Sequence, residues 1–362
     1  MKKLKILISA SGTGGHLIPA QMLASRLQEK KEKILFAAAD LSTNALFDKN
    51  TFPFQDIPSS SIKKKIWKTF LAWTKGLYKS LYLLRKYQPD VVVGFGSYHT
   101  FPVLLGARIL RIPIVLFEPN YTLGKVNWFF AKSAKRVAVQ FSLEKKNISF
   151  CQVPFLPWKT VPKLFAWEAK ELLGLEKDCF TFLVFGGSQG ADFINESFMR
   201  SLENSDGKEK IQVIHLTGSD RMTEKALRFY REKKIRAHVQ TFEKQIFPLF
   251  IAADFVVCRA GASTLGELIT FEKPALLIPY PFAHGHQEDN GRFYSEVVKG
   301  GYMILQKKEN ERSITALMQD LLKNREKLFV MQKNIQNFKL EEEKKEKKSL
   351  EEIVCEVGRR DV

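Results

Sequence analysis

"LKILISASGTGGHLIPA", Leu4 to Ala20, decides the fold. Leu4 to Ala10 is an apolar run with the length of a buried strand. Beyond Pro19, the residues Ala20, Leu23, Ala24 and Leu27 recur at helical spacing. A helix is expected from there on, with the proline in its first turn, where a missing N–H costs nothing. Between strand and helix lie Ser11, Gly12, Thr13, Gly14, Gly15 and His16. Glycines permit positive φ and let a ligand approach the main chain closely. A helix start adds unpaired N–H groups and a partial positive charge. An anion-binding loop edged by an imidazole is the chemical reading; a tight turn with no ligand is the plain one. The spacing is not the G-x-G-x-x-G dinucleotide pattern, and no Lys-Ser/Thr follows as a P-loop requires.

The strand and helix rhythm continues outward from that loop. "KILFAAA", "DVVVGF" and "IPIVLFE" are strand candidates in the first half; "FTFLVFGG", "IQVIHLTG", "DFVVCRAG" and "PALLIPY" restart the series in the second. Alternation of this kind gives an α/β fold with parallel sheets and helices on both faces. Two runs predict two doubly wound, Rossmann-like domains facing a cleft, over residues 1–155 and 156–336. The proline-bearing "CQVPFLPWKTVPK" is the linker between them. The mixed-charge end, 337–362, reads as a solvated C-terminal helix. Ligands of open α/β sheets sit beyond the carboxyl ends of the strands, so the chemistry is sought there.

A chain of 362 residues suits two domains, and 45% hydrophobic content is enough for both cores. Four scattered cysteines without a C-x-x-C pair fit a reducing compartment rather than a disulfide framework. The apolar start is too short for a signal peptide, and no stretch reaches the eighteen apolar residues of a membrane span. The net charge is +18, from 57 Lys+Arg against 39 Asp+Glu. That balance calls for an anionic partner: nucleic acid, an anionic membrane or a phosphorylated substrate. A plain lysine bias is the alternative.

Three further stretches carry polar groups at strand ends. "FGGSQGADFIN" places Gly186, Gly187 and Gly190 around Ser188, which can cap a helix or bind phosphate. "CRAGASTLGELI" opens a helix with Ala262, Ser263 and Thr264, whose N–H groups suit a diphosphate. Glu267 lies one turn beyond Ser263 on the same face. A carboxylate there can accept both hydrogen bonds of a ribose diol, or simply face solvent. "PYPFAHGHQEDNG" gathers His284, His286, Gln287, Glu288, Asp289 and Asn290 in one loop. His-Gly-His lacks the i, i+4 spacing of a helical zinc site, so groups that read sugar hydroxyls fit better than metal ligands. In the first half, Tyr98, His99, Thr100, Glu118 and Asn120 follow strands.

The basic residues concentrate in Ser61 to Pro89, which holds eight of them and no acidic one. Ile62, Ile66, Trp67, Phe70, Leu77, Tyr78, Leu81 and Leu84 form an apolar stripe, with Trp73 and Tyr82 off it. A basic amphipathic helix with stray aromatics reads as a membrane-surface element. Lys63, Lys64, Lys65, Trp67, Lys68, Phe70 and Trp73 are its candidate contacts; a core helix with a lysine-rich outer face is the other reading.

Taken together, "SGTGGHLIPA", "FGSYHTFP", "FEPN", "GGSQGADFIN", "VCRAGASTLGE" and "HQEDNG" resemble, in order and spacing, the motifs of the MurG family. These are the UDP-N-acetylglucosamine:lipid I N-acetylglucosaminyltransferases of peptidoglycan synthesis. The resemblance spans roughly Lys5 to Gly301. It implies the two-domain GT-B fold, with the donor nucleotide in the C-terminal domain. The lipid-linked undecaprenyl diphosphate acceptor is implied in the N-terminal one. It places Thr13, Gly14, Gly15, Asn120, Ser188, Glu243, Ala262, Ser263, Thr264, Glu267, His286 and Gln287 at the donor, with a backbone group near Glu243 reading the uracil. Gly12, His16, Tyr98 and Glu118 fall on the acceptor side. Ser11 stands where the family has a glycine. Phe117-Glu118-Pro119-Asn120 replaces His-Glu-Gln-Asn, and "QVPFL" lacks the arginine of the family's Gly-Asn-Pro-x-Arg.

The expected activity is inverting transfer of N-acetylglucosamine from UDP-N-acetylglucosamine to the 4-hydroxyl of the lipid-linked acceptor. A neutral His16 suits the base, since imidazole titrates near neutrality; holding the acceptor is its other role. No metal or further cofactor is expected. The family's setting implies a peripheral enzyme at the cytoplasmic face of the inner membrane and a place in a cell-wall synthesis complex. A related lipid glycosyltransferase with another acceptor is the first rival. A basic nucleic-acid-binding protein is the second, but its basic and stacking residues would be spread on an open face. No nucleic-acid partner is therefore expected.

Overall fold

Among the described residues, every strand of the computed structural model pairs in parallel, in two separate sheets. The structure describes residues 3–12, 14–60, 66–143, 148–155, 163–187, 190–203, 211–283, 285–307 and 310–359. Contacts divide the chain into Met1–Trp158 with Glu346–Val362, and Lys159–Lys345.

The first unit orders its strands β3-β2-β1-β4-β5-β6-β7. These are β1 (Lys5–Ser9), β2 (Lys33–Ala38), β3 (Phe54–Asp56), β4 (Val91–Gly94), β5 (Ile114–Glu118), β6 (Arg136–Val139) and β7 (Phe150–Gln152). The central strands are buried along almost their whole length, because helices cover both faces. Leu7, Val92 and Leu116 point to one core; Ile6, Ile8, Val91 and Val93 point to the other. The order reverses between β1 and β4, so the loops after these two strands diverge and leave a crevice between them.

Helix α1 (Gly14–Glu29) starts earlier than the sequence suggests. Pro19 is not in its first turn but is its sixth residue. Leu17 explains the difference: it belongs to the buried stripe with Ala20, Ala24 and Leu27. Its burial outweighs one missing main-chain bond. Gly14, Gly15 and His16 are thereby wound into the helix start. Helices α2 (Ile66–Tyr87), α3 (Phe101–Ile109) and α4 (Lys125–Phe130) complete the unit's own connections.

The second unit repeats the plan in the order β10-β9-β8-β11-β12-β13. Its strands are β8 (Phe180–Phe185), β9 (Ile211–Leu216), β10 (Arg236–Gln240), β11 (Phe255–Cys258), β12 (Ala275–Leu277) and β13 (Gly301–Met303). Its helices are α5 (Ala166–Leu172), α6 (Asp192–Glu203), α7 (Asp220–Glu232), α8 (Phe247–Ala252), α9 (Ala262–Thr270), α10 (His286–Arg292), α11 (Glu311–Lys323) and α12 (Glu326–Glu343). Its switch point lies between β8 and β11.

The solvated C-terminal helix expected over 337–362 is replaced by two elements. Helix α12 runs on to Glu343 within the second unit, and α13 (Leu350–Arg359) belongs to the first. Leu350, Ile353, Val354 and Val357 fall on one helical face and are buried in the core with Leu4 and Val91. Ser349 and Glu352 bond each other's main-chain N–H groups as a capping box, and Arg26 and Arg359 pair with Glu351 and Glu32. The charged residues of the tail had masked this apolar face.

Candidate active site

In the first unit the crevice is lined by the loops after β1 and β4. Ser11 closes one side by donating its hydroxyl to the Ala39 carbonyl at 2.5 Å. Gly12 follows with φ 94, a conformation that suits glycine, and its carbonyl accepts the Asn44 amide at 3.0 Å. Gly14, Gly15 and half-buried His16 form the first turn of α1, with its outward N–H groups.

After β4, Ser97 has φ 72, and its hydroxyl accepts the His99 N–H at 3.4 Å. His99 Nδ1 lies 3.3 Å from the same hydroxyl, and its Nε2 lies 3.8 Å from Asp40, another non-glycine with positive φ. Two non-glycine residues with positive φ thus flank one imidazole in the crevice. In the sequence His99 was only one polar group among several. Tyr98, half-buried beside it, is held through its carbonyl by the Ser59 hydroxyl at 2.7 Å.

Glu118, expected at the acceptor, is instead buried and occupied within the fold. One oxygen accepts the Asn120 main-chain and side-chain amides at 3.1 and 2.8 Å; the other accepts Gly124 N–H and the Asn127 amide at 2.8 and 3.0 Å. Its carboxylate therefore shapes the loop that presents Asn120. This is not legible in the sequence, because the organising Asn127 lies nine residues away on α4.

In the second unit, Gly186 and Gly190 bound the loop after β8. A Cβ on Gly186 would stand 2.3 Å from Ala191 N, and one on Gly190 2.6 Å from Thr217 O. Only glycine fits that approach. The loop after β11 enters α9, where Gly261 caps and Ala262, Ser263 and Thr264 supply the N-terminal N–H groups. Ser263 and Glu267 are both half-exposed, one turn apart on the same face. The negative charge of Glu267 also acts on Cys258 at the end of β11, whose thiol burial pushes well above its ordinary range. The Glu243 carboxylate accepts Gln245 N–H at 2.7 Å.

"HQEDNG" is helical rather than a loop: α10 begins at His286, behind Gly285 with φ 86. The Gln287 carbonyl oxygen accepts Tyr280 N–H at 2.9 Å, which fixes the amide at the helix start. Two residues bind these loops together: Arg259, which the sequence reading missed, and Asn290, which it had grouped with the sugar-reading loop. Buried Arg259 donates to the carbonyls of Ile278 and Pro279 at 3.0 and 3.2 Å and lies over the Tyr280 ring. Burial lowers its pKa to about 10, which leaves it cationic at neutral pH. Asn290 donates to Ala260 O at 3.0 Å. An arginine directly after a strand, ahead of a small-residue helix start, was the available signal.

Thr13, Ser188, Lys63, Lys64 and Lys65 lie outside the described residues, as do the side chains of Trp67 and Lys68. Among the described residues, no three His, Cys, Asp or Glu side chains gather as a metal site, and no helix is long and apolar enough to cross a membrane.

The face assigned to α2 needs correction. Its buried side runs through Thr69, Gly76, Ser80 and Leu84, against α3. A Cβ on Gly76 would lie 2.0 Å from Pro58 O, and one on Gly106 3.1 Å from Leu84. Such close approach needs small residues, which an apolar periodicity does not register. Trp73 turns inward: it stacks on Phe101 at 4.4 Å between centroids and donates to Ser60 O at 3.0 Å. Phe70, Tyr78 and Tyr82 are outward, 68%, 75% and 64% exposed, beside exposed Lys75 and Lys79. Exposed Trp128 and Phe129 of α4 add to this surface, Phe129 touching Phe101.

Two parallel sheets, each with a glycine loop and a helix start at its switch point, define a GT-B glycosyltransferase. The glycosyltransferase family 28 N-terminal domain matches residues 6–139, and the family 28 C-terminal domain matches residues 181–351. Over 329 residues the chain is 41% identical to the UDP-N-acetylglucosamine-N-acetylmuramyl-(pentapeptide) pyrophosphoryl-undecaprenol N-acetylglucosamine transferase of Protochlamydia amoebophila, covering 88% of this chain and 87% of that one. The protein of the same name from Chlamydia muridarum is 35% identical, with 98% and 99% covered. The crystal structure of Acinetobacter baumannii MurG superposes with a TM-score of 0.77 at 22% identity, over 98% of this chain and 99% of that one. The chain belongs to the MurG family.

Proposed function

We propose that the protein transfers N-acetylglucosamine from UDP-N-acetylglucosamine to the 4-hydroxyl of the N-acetylmuramyl residue of an undecaprenyl diphosphate acceptor. The observation that carries this is the second unit's switch point, where the start of α9 stands one turn ahead of Glu267. The N–H groups of Ala262, Ser263 and Thr264 meet the diphosphate, and Glu267 takes the ribose diol. His286 and Gln287 read the sugar, Asn120 contributes from its Glu118-shaped loop, and main chain near Glu243 reads the uracil. The acceptor hydroxyl attacks the anomeric carbon from the face opposite the phosphate. A carbon–oxygen bond forms, the bond to phosphate breaks, and UDP leaves with the electron pair. The hydroxyl proton passes to neutral His16. Charge growing on the leaving diphosphate is met by preset N–H groups.

The acceptor is a lipid, so the first unit works at a membrane surface. The outward aromatics of α2 and α4 beside exposed lysines suit an anionic one. This supports a peripheral enzyme at the cytoplasmic face of the inner membrane, within reach of other cell-wall enzymes. Purified protein is incubated with labelled UDP-N-acetylglucosamine and a lipid I analogue. A labelled disaccharide lipid is the expected product; hydrolysis alone, or no transfer, would overturn the reading.

A further inference from the structure

Asn195 ends the second glycine motif, yet it is fully buried and part of an oriented hydrogen-bond chain. Its amide donates to Thr217 O at 2.9 Å, so its oxygen faces His215 Nε2 at 3.0 Å. That oxygen only accepts, so Nε2 carries the proton. Nδ1 of the neutral ring then accepts the Tyr230 hydroxyl at 2.8 Å. Every donor from Tyr230 through His215 and Asn195 to Thr217 points the same way. Burial pushes the imidazole down to about 3, which keeps the ring neutral and the direction of the chain fixed at physiological pH.

The chain ends against the glycine loop. Thr217 O is the atom that a Cβ on Gly190 would meet at 2.6 Å. Thr217 and Gly218 also donate their N–H groups to Gln240 O and Thr241 O at 3.0 and 2.9 Å. The Thr217 and Thr223 hydroxyls lie 2.6 Å apart, and the Thr223 and Thr241 hydroxyls 3.2 Å. One peptide thus packs under Gly190 and sets the strand end that leads to Glu243. An apolar side chain would fill the space under β9 without the cost of burying three polar groups. We propose that His215 is a positioning residue for the donor: through Asn195 it fixes the Thr217 carbonyl under Gly190 and so sets the end of the second glycine motif against the strand end that leads to Glu243.

This inference rests on the donor site proposed above. UDP affinity of the parent protein, by calorimetry, tests that site; variant-to-parent ratios test His215. His215→Gln carries an amide nitrogen to the place of Nε2 and keeps the bond to Asn195. His215→Asn reaches only the place of Nδ1 and loses that bond. The Asn variant should raise the UDP Kd and the UDP-sugar KM about tenfold, with kcat and acceptor KM within about threefold of parent; the Gln variant should stay near parent in all four. A merely structural role would move both variants alike. Equal UDP affinity in the two, or parent affinity in the Asn variant, overturns the proposal. Should a variant not fold, the parent answers by NMR: the His215 Nε2–H resonance should shift on saturation with UDP, and an unmoved resonance overturns it.

Discussion

His99 stands directly against Gly12: its Nδ1 lies 3.4 Å from the point a Cβ on residue 12 would occupy. Two imidazoles therefore border the first glycine loop, His99 after β4 and His16 at the start of α1. Their surroundings differ. The His99 ring sits between Ser97 and Asp40, whereas His16 belongs to the helix turn with outward N–H groups. If His16 takes the acceptor proton, His16→Ala lowers kcat by about 10²–10⁴-fold and leaves UDP affinity in place. His99→Ala should chiefly raise the acceptor KM. Steady-state kinetics on both substrates separates the two; an intact kcat in the His16 variant would transfer the role to another group.

Glu267 offers the cleanest test of the donor side. It is half-exposed on the first turns of α9, so its removal leaves no cavity. A hydrogen bond to a charged group contributes about 1.5–3 kcal/mol. Glu267→Ala should therefore weaken UDP binding by about tenfold or more, with the thermal midpoint close to parent. Glu267→Gln, which keeps one acceptor oxygen, should fall between. Calorimetric titration with UDP decides; unchanged affinity removes Glu267 from the site.

The neutral imidazole of His215 makes stability depend on pH in a definite direction. The unfolded chain takes up a proton near the ordinary histidine value of about 6.5, while the folded chain resists until about 3. Stability is whole above about 6.5 and falls as pH drops from there toward 3, by about 1.4 kcal/mol per unit for a full proton. Urea unfolding at pH 7.5 and 5.5 should show a larger loss in the parent than in His215→Gln, which has no such proton to gain. Equal losses would mean that the ring is not held neutral by the fold.

The glycine loops were legible because their chemistry is local: a buried strand, bare backbone and a helix start are read from adjacent residues. What escaped depends on distant partners. Glu118 looks like an acceptor contact until Asn127 and Gly124 occupy its oxygens. Arg259 acquires its role from carbonyls twenty residues on. Trp73 falls off a stripe counted by bulk, because Gly76 and Ser80 define the face that packs. Helix α13 joins the first sheet after the whole second unit has intervened, a pairing that no window of sequence contains.

The corrected face of α2 gives the membrane prediction its form. Phe70, Tyr78 and Tyr82 recur at intervals of four or eight residues, so they lie along one outward side of the helix. Lys75 and Lys79 flank them and are exposed. Trp73, by contrast, is held by Phe101 and by Ser60 O. Aromatic rings settle at the headgroup level, and lysines near an anionic leaflet contribute about 1 kcal/mol each. Replacing Lys75 and Lys79 with Gln should therefore weaken binding to anionic vesicles by about thirtyfold, with most of that difference lost at high salt. Changing Phe70, Tyr78 and Tyr82 to Ser should weaken binding at low and high salt alike. Lys63, Lys64, Lys65 and Lys68 to Gln should act as the first set does. Trp73→Ala should lower the thermal midpoint instead, through lost stacking and a lost hydrogen bond. All these changes should spare UDP affinity, since the residues proposed to bind the nucleotide lie in the other unit. Vesicle flotation with and without salt separates the cases. Unchanged binding in both the lysine and the aromatic variants would take this face off the membrane and leave the +18 charge to another anionic partner.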